Sequence, residues 1–525
     1  MNFHYGGIFM LKKFLKSNKK EKYSNEDSVA INIKQPLSTS LEKNIEIFKS
    51  IFIDDETINF RWITNSHNQI LKYCLVQNDG LVSSVIINEN IIKPLMVSDV
   101  LLTKGKQIDT LIQQVLLVNQ IKKTKDWQEI IEAVTYGDTI LFMEGEKEAL
   151  LLNSKGFSIR SIDEPSGEKI ISGPREGFCE SLMTNLSLVK RRLRTNELKI
   201  KFQSLGVRTH TQICICYIDS IVNKKILDEL EKRIEKIKID GVLDSNYITE
   251  YINDSRWSPF RSTGYTERPD IVVANLLEGR IALFVDGSPV VLTIPYFFIE
   301  NFQSNEDYYM SFYYTSFERI LRIAAFILTI TIPSFYILLA AYNHEILPTV
   351  LLTNIARDSL DVPLPAGLEA ILMLLVFEIL KEAGIRIPSS IGQALSIVGA
   401  LVIGQAAVEA RLVSAPMVVV IATTAITGLL APRLNAPIAY VRLILLVLSS
   451  TLGLIGFILG LSGLLIHLLN LHSFGIPQIH AIDKLNYQEL KDIFIRGPWW
   501  KMINRPLNLS KNKTRLKNSD RGEFD

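Results

Sequence analysis

Apolar residues are distributed unevenly along this chain. Up to about residue 320, short apolar runs are interrupted by charge, whereas residues 323–470 are mostly apolar. The second region divides into tracts that predict membrane helices. Ile323–Tyr342, Ile387–Val408 and Leu412–Ala431 contain no charged residue, and Leu364–Leu380 and Leu443–Asn470 are strongly apolar. At 1.5 Å per residue, roughly 20 residues suffice for a bilayer core of ~30 Å. Pro333 predicts a kink in the first tract. The stretch from Pro363 to Arg411 reads as two helices joined by the polar turn KEAGIR, which carries Lys381 and Arg386. By the positive-inside rule, that turn, Arg319 and Arg322 lie inside, and the loop with Glu345, Asp358 and Asp361 lies outside. Leu443–Asn470 is long for one straight crossing and short for two. A single crossing would place the basic tail outside, so the expectation is an even number of crossings with both termini inside.

Small residues recur on single faces of these tracts. Gly392, Ser396, Ala400 and Gly404 fall at every fourth position. Ser449, Gly453, Gly456, Gly460 and Gly463 alternate four- and three-residue steps. Such stripes let another helix backbone approach closely, which is how helices associate in lipid.

The first region predicts soluble α/β structure. Val134–Gly145 reads as strand–turn–strand around Gly137-Asp138, Thr211–Ile218 as a strand, and Ile226–Ile239 as an amphipathic helix. Another helix opens near Glu180 and ends in Lys190, Arg191, Arg192 and Arg194. That cluster is read either as compensation of the helix dipole or as a site for anionic lipid or an acidic loop. Between Trp257 and Tyr314 the pattern gives a helix, a strand, an Asp286-Gly287 turn and a second strand. Phe297, Phe298, Phe302, Tyr308, Tyr309, Tyr313 and Tyr314 suggest an aromatic girdle at the membrane surface.

The expected organisation is therefore a multi-domain integral membrane protein, an N-terminal soluble α/β domain of two subdomains followed by an α-helical transmembrane bundle of about four to six spans. The boundaries are a basic flexible arm (1–60), the α/β domain (61–245), a juxtamembrane bridge with strands (246–320), the bundle (321–472) and a basic tail (473–525). A net charge of +2 over 525 residues says little about partners. The lysine-rich arm lacks the aromatic interleaving of a nucleic-acid site, and no nucleic-acid partner is expected. Four cysteines, all before the bundle, suggest buried structural thiols rather than a disulfide framework. The first 20 residues place apolar residues ahead of lysines, the reverse of a cleavable signal, which keeps the N-terminal half on the cytoplasmic or core side. The chain shows no Gly-rich phosphate loop, nucleophile elbow or His/Cys metal set. It reads as a non-enzyme without a cofactor.

Acidic residues in or beside apolar tracts carry the candidate function. Glu369, Glu378 and Glu409 each cost at least ~2.5 kcal/mol near hydrocarbon unless they face protein or water. They could ring a cation pathway, couple protons in a carrier, or pair silently with Arg357, Arg386, Arg411 or Arg442. Glu378, Gln393, Gln405 and Glu409, beside the small-residue face, are the candidate polar seam. One such hairpin encloses no pore, so conduction would require a ring of subunits. A secondary transporter and a membrane-anchored scaffold or sensor are the alternatives.

The segments TNIARDSLDVPLPAGLEAILMLLVFEILKEAGIRIPSSIGQALSIVGALVIGQAAVEARLVSAP, GYTERPDIVVANLLEGRIALFVDGSPVVLTIP, FQSNEDYY and GPREGFCESLMTNLSLVKRRLR extend this picture. With them, roughly residues 65–480 resemble the A subunit of the GerA-type spore germinant receptors. The resemblance implies a multi-pass protein of the spore inner membrane. It implies partners in a transporter-like B subunit that binds the nutrient, a C-subunit lipoprotein, membrane lipid and further copies of itself. It also implies oligomerisation into a nutrient-gated channel for monovalent cations.

Overall fold

In the computed structural model, the described residues are 36–98, 107–156, 165–386, 402–479, 492–510 and 515, apart from 68, 70, 166, 503, 507 and 508. Two α/β units precede a helical bundle, and the units repeat one another. The first runs α1 (Leu41–Ile51), β1 (Ile58–Thr64), β2 (Lys72–Asn78), a π-helical stretch Ile86–Ile92 leading into α2 (Lys93–Val97), α3 (Gln107–Thr110), β3 (Ile121–Thr124), α4 (Trp127–Thr135), β4 (Thr139–Met143) and β5 (Ala149–Leu152). The second runs α5 (Leu182–Arg192), β6 (Leu198–Leu205), β7 (Thr211–Ile218), α6 (Lys224–Glu235), α7 (Ser245–Ile252), β8 (Gly264–Thr266), α8 (Pro269–Leu277), β9 (Ile281–Val285) and β10 (Val291–Ile294). The sheets have the same order, β1-β2-β4-β5-β3 and β6-β7-β9-β10-β8. Every pairing within them is antiparallel.

Alternation along the central strands buries both faces of each sheet. In the second unit Ile213, Ile215 and Tyr217 pack under α6 and α7. Cys214 and Cys216 face the other way, under α5 and α8. In the first unit Cys74 and Val76 pack with Phe48 and Trp127, while Tyr73 and Leu75 pack with Ile91 and Leu111. Cys74, Cys214 and Cys216 are thus buried core residues, whereas Cys179, just ahead of α5, is only partly buried; burial pushes the Cys74 thiol up to about 12.

The repetition extends to individual hydrogen bonds. Ser40-Leu41 with Asn44 corresponds to Ser181-Leu182 with Asn185. Asn44 is buried; its Nδ2 donates to Ser38 O (2.7 Å) and its Oδ1 accepts from Ser38 N (2.8 Å). Asn185 does the same with Cys179, at 2.5 and 2.9 Å. Glu144 accepts the first amide of α1, Leu41 N, at 2.9 Å, and Asp286 accepts Leu182 N of α5 at 3.2 Å. Gly145 N donates to Thr39 O and Gly287 N to Glu180 O. In each unit, the acidic turn after the fourth strand therefore supplies an acceptor to otherwise orphaned helix amides.

These units differ from the sequence boundaries in two places. Residues 41–60 belong to the first unit, because α1 contributes Leu41, Ile45 and Phe48 to its core. The strands assigned to a juxtamembrane bridge, β8–β10, pair into the same sheet as β6 and β7. Val134-Thr135, expected in a strand, closes α4 instead. The cluster after Glu180 is occupied. Arg192 meets Glu176 at 2.6 Å, Arg191 pairs with the same carboxylate, and Arg194 lies 3.8 Å over the Tyr136 ring. Lys190 is buried between the units, where it donates to Thr57 Oγ1 and to Asn78 Oδ1 (2.5 Å). Burial holds its amine below the usual lysine range.

The bundle comprises α9 (Phe312–Ile337, extended to Tyr342 by a π-helical turn), α10 (Thr349–Leu360), α11 (Ala366–Arg386), a helical stretch at 402–409, α12 (Ala415–Gly428) and α13 (Asn435–Leu469). Phe312–Tyr342 and Pro432–Leu469 are long and apolar enough to cross a membrane by length and composition. The second is folded back on itself. Gly453 has φ 59° and ψ −134°, a conformation that disfavours any side chain. A Cβ at Gly456 would lie 2.0 Å from Leu448 O, and one at Gly460 would lie 2.5 Å from Leu445 Cδ2. Residues eight or more positions apart would be separated by about 12 Å or more along a straight helix. Their contact makes α13 an antiparallel hairpin with its tip at Gly453. Tyr342 closes the tip by donating to Ser450 O at 2.6 Å.

The stripe is thus a hairpin interior near its tip and an open face beyond. Gly456→Ala drives its methyl into the Leu448 carbonyl, and the expected cost is ~1–3 kcal/mol or more. Gly463→Ala meets nothing within 4 Å and is expected to be silent. Thermal unfolding midpoints of the two variants in detergent check the contrast.

Candidate functional site

The expected polar seam is not one cluster among the described residues. Gly392, Gln393, Ser396 and Ala400 lie outside them. Glu378, on α11, meets Arg442 of the first arm of α13 at 2.7 Å and Lys381 at 3.5 Å. Gln405 Nε2 donates to Glu409 Oε1 at 2.9 Å, one turn along the 402–409 helix, and both side chains are exposed. Arg411, the other cation near Glu409, pairs instead with Asp361 at 3.4 Å. Glu369 is buried; it accepts from Ser414 N (2.5 Å) and Ser414 Oγ (2.7 Å) at the N-terminus of α12, where the helix dipole favours an anion. Gly404 is buried, and a Cβ built on it would lie in ordinary contact with Val418 of α12, at 3.8 Å.

A second polar cluster, which the sequence reading does not anticipate, forms where the α/β units meet the bundle. Arg319 and Asp307 have fully buried side chains and pair at 2.7 Å. Arg322 takes the other Asp307 oxygen at 2.8 Å. Arg319 Nη1 also reaches Asp492 Oδ1 at 2.7 Å, and Tyr308 donates to Asp492 Oδ2 at 2.7 Å. Arg496 donates to Met310 O at 3.0 Å. This collar ties a loop of the second unit, the first turns of α9 and the C-terminal segment to one another.

A separate contact joins the far end of α12 to the same unit. Arg433 meets Glu168 at 2.5 Å, and Glu168 also accepts from Thr266 Oγ1 (2.6 Å) and Glu267 N (3.1 Å). The C-terminal segment continues onto the second unit, where Arg515 meets Glu278 at 2.7 Å and Ser510 bridges Val222. The residues expected to form an aromatic girdle divide accordingly. Phe298 and Phe302 pack on Phe326, Tyr308 and Tyr309 bond carboxylates, and Tyr313 and Tyr314 stay exposed. Between the two units lies a cleft of about 440 Å³, lined by Arg61, Gln77, Asp79, Asn88, Thr184 and Ser187 among others.

Fold and collar define a class of protein: a duplicated α/β domain bound by buried ion pairs to a helical bundle fit to cross a membrane. The chain belongs to the Bacillus/Clostridium GerA spore germination protein family, matching it over residues 46–508. Its relatives identify it with the A subunits of that family. It is 39% identical to the uncharacterized membrane protein YfkQ of Bacillus subtilis (strain 168), over 90% of this chain and 92% of that protein. It is also 39% identical to spore germination protein KA of the same organism, over 90% of this chain and 88% of that one. The crystal structure of the N-terminal domain of the A subunit of the Bacillus megaterium spore germinant receptor GerK3 aligns with a TM-score of 0.40 and 28% identity. That alignment covers 49% of this chain and 96% of that domain.

Proposed function

We propose that this chain is the membrane-spanning A subunit of a nutrient-sensing spore germination receptor, and that copies of it surround a path for monovalent cations. The observation that carries this reading is the Gln405–Glu409 pair. It stands exposed on an apolar helix next to Leu412, also exposed. Polar groups left in that position in lipid are costly, so water or another copy of the chain covers them. Glu378 stands apart from that pair, 38% exposed on its side chain and held by Arg442. The topology that fits is six crossings: α9, α11, the 387–409 tract, α12 and the two arms of α13. Both termini and the α/β units then lie on the cytoplasmic or core side of the spore inner membrane. The subunit is non-catalytic and acts with a transporter-like B subunit, which takes the nutrient, and with a C-subunit lipoprotein.

Planar-bilayer recording of the purified complex, with and without candidate nutrients, tests the proposal. The expected result is a nutrient-dependent cation current that falls when Glu409 is replaced by Gln while assembly persists. An unchanged current in Glu409→Gln removes that residue from the path, and a strictly monomeric chain overturns the ring. The Glu369 and Glu378 contacts favour a second reading, in which the intramembrane acids are structural and the chain is a signal-transmitting scaffold. In that case no current accompanies nutrient addition.

A further inference from the structure

Trp257 is 99% exposed. Tryptophan is highly buried on average, and the other exposed indoles of this chain, Trp62, Trp499 and Trp500, keep 40% or more of their surface covered. The turn that presents it is firmly held. Ser258 N donates to Ser255 O at 3.2 Å, and Phe260 N donates to Ser258 Oγ at 3.2 Å. Just upstream, Asp254 meets Arg233 and accepts from Phe474 N, both at 2.5 Å. The indole is therefore held outward by its backbone rather than left on a loose loop.

The height of this turn relative to the bundle is also fixed. Ser258 Oγ lies 2.9 Å from Nε2 of His467, in the last turn of the second arm of α13. Phe260 is buried against the same histidine, with ring centroids 5.9 Å apart, and against Phe298, which in turn meets Phe326 of α9 edge to face. Trp257 thus projects beside the level at which the second arm of α13 ends and, through Phe298, at which the uncharged tract of α9 opens just after Arg322. Nearer its start, nine or more residues before Phe326, α9 also exposes Tyr313, Tyr314 and Phe317. Arg256 is exposed and makes no ion pair among the described residues. An amphipathic ring beside a free cation, at the end of an apolar helix, is the chemistry of the headgroup layer.

We propose that the Arg256-Trp257 turn is a lipid anchor: the indole enters the interfacial layer of the bilayer and Arg256 contacts lipid phosphate, pinning the second α/β unit to the membrane surface. This rests on the reading of the bundle as membrane-spanning. Of the alternatives, a protein partner would also shield the indole, and the test separates the two.

The full chain is reconstituted in phosphatidylcholine–phosphatidylglycerol vesicles, with and without acyl-brominated lipid, as wild type and as Trp257→Phe. Difference emission between the two isolates one of the five tryptophans. The expected result is a difference signal quenched by brominated lipid and protected from aqueous iodide, with the lipid quenching reduced in Arg256→Glu. A signal open to iodide and indifferent to brominated lipid overturns the proposal. A signal shielded from both places a protein on the turn and also overturns it. Carbonate extraction of the same vesicles keeps the two readings distinct. A chain that washes off overturns the spanning reading and the anchor together, whereas a retained chain with an iodide-accessible Trp257 overturns the anchor alone.

Discussion

Asp307→Ala is expected to lower the stability of the full chain by about 3–5 kcal/mol, the cost of stranding buried charge after removing its partner. Asp307 is the only carboxylate in contact with both Arg319 and Arg322 among the described residues, at 2.7 and 2.8 Å, and its side chain has no solvent exposure. Its backbone oxygen also accepts from Thr315 Oγ1 at 3.2 Å, which sets the entry into α9. Without the carboxylate, Arg319 retains Asp492 as its ion-pair partner, and Arg322 retains Glu318 at 3.3 Å and the Phe302 carbonyl at 3.1 Å. Two measurements check this. The unfolding midpoint in detergent should fall well below wild type. Limited proteolysis should also release the C-terminal segment, because Arg319 grips Asp492 from the position that Asp307 fixes. An unchanged midpoint would mean that water enters the collar and that its charges are not desolvated. Asp307→Asn keeps the shape and loses the charge, and should fall between the two.

The hairpin in α13 returns the chain to the α/β units, where Asp492 joins the collar and Arg515 meets Glu278. Sequence periodicity does not resolve that return, because Leu443–Asn470 fits neither one crossing nor two. The missing information was the tip at Gly453. In the sequence that glycine sits in register with Ser449 and Gly456, so it reads as one more member of a helix face. Small residues suit a straight helix packed on a neighbour and a helix packed on its own return arm equally well. Only the backbone conformation at Gly453 distinguishes the two.

The duplication was legible in principle. Ser-Leu-x-x-Asn occurs at Ser40 and again at Ser181, and Phe142 and Phe284 precede the equivalent acidic turns. Boundaries at residues 60 and 245 cut across both copies, so the match does not show when the chain is divided there. Apolar alternation did place β7, the Asp286-Gly287 turn, β9 and β10, because local pattern dictates strands and turns. Ion pairs such as Arg433 with Glu168 join residues far apart in the chain, and no local pattern announces them.

Replacing Glu378 and Arg442 singly and together should separate a structural pair from a conducting group. Arg442 has a side chain 5% exposed, lies within the apolar run of α13 and reaches Glu378 at 2.7 Å. Lys381, the other neighbour of Glu378, is further away at 3.5 Å and partly exposed. Neutralising the acid alone therefore leaves a guanidinium in an apolar setting, and Glu378→Gln is expected to cost about 3–5 kcal/mol. Adding Arg442→Met removes the stranded charge with a side chain of similar reach. The double variant should recover most of that loss, because a buried pair replaced as a unit is often nearly neutral. The unfolding midpoints of the four proteins give the coupling directly. A wet path predicts the opposite pattern: Glu378→Gln would leave the midpoint nearly unchanged and alter cation release, and Arg442→Met would not rescue it. The geometry favours strong coupling at Glu378, so the proposed cation path rests on Glu409 rather than on Glu378.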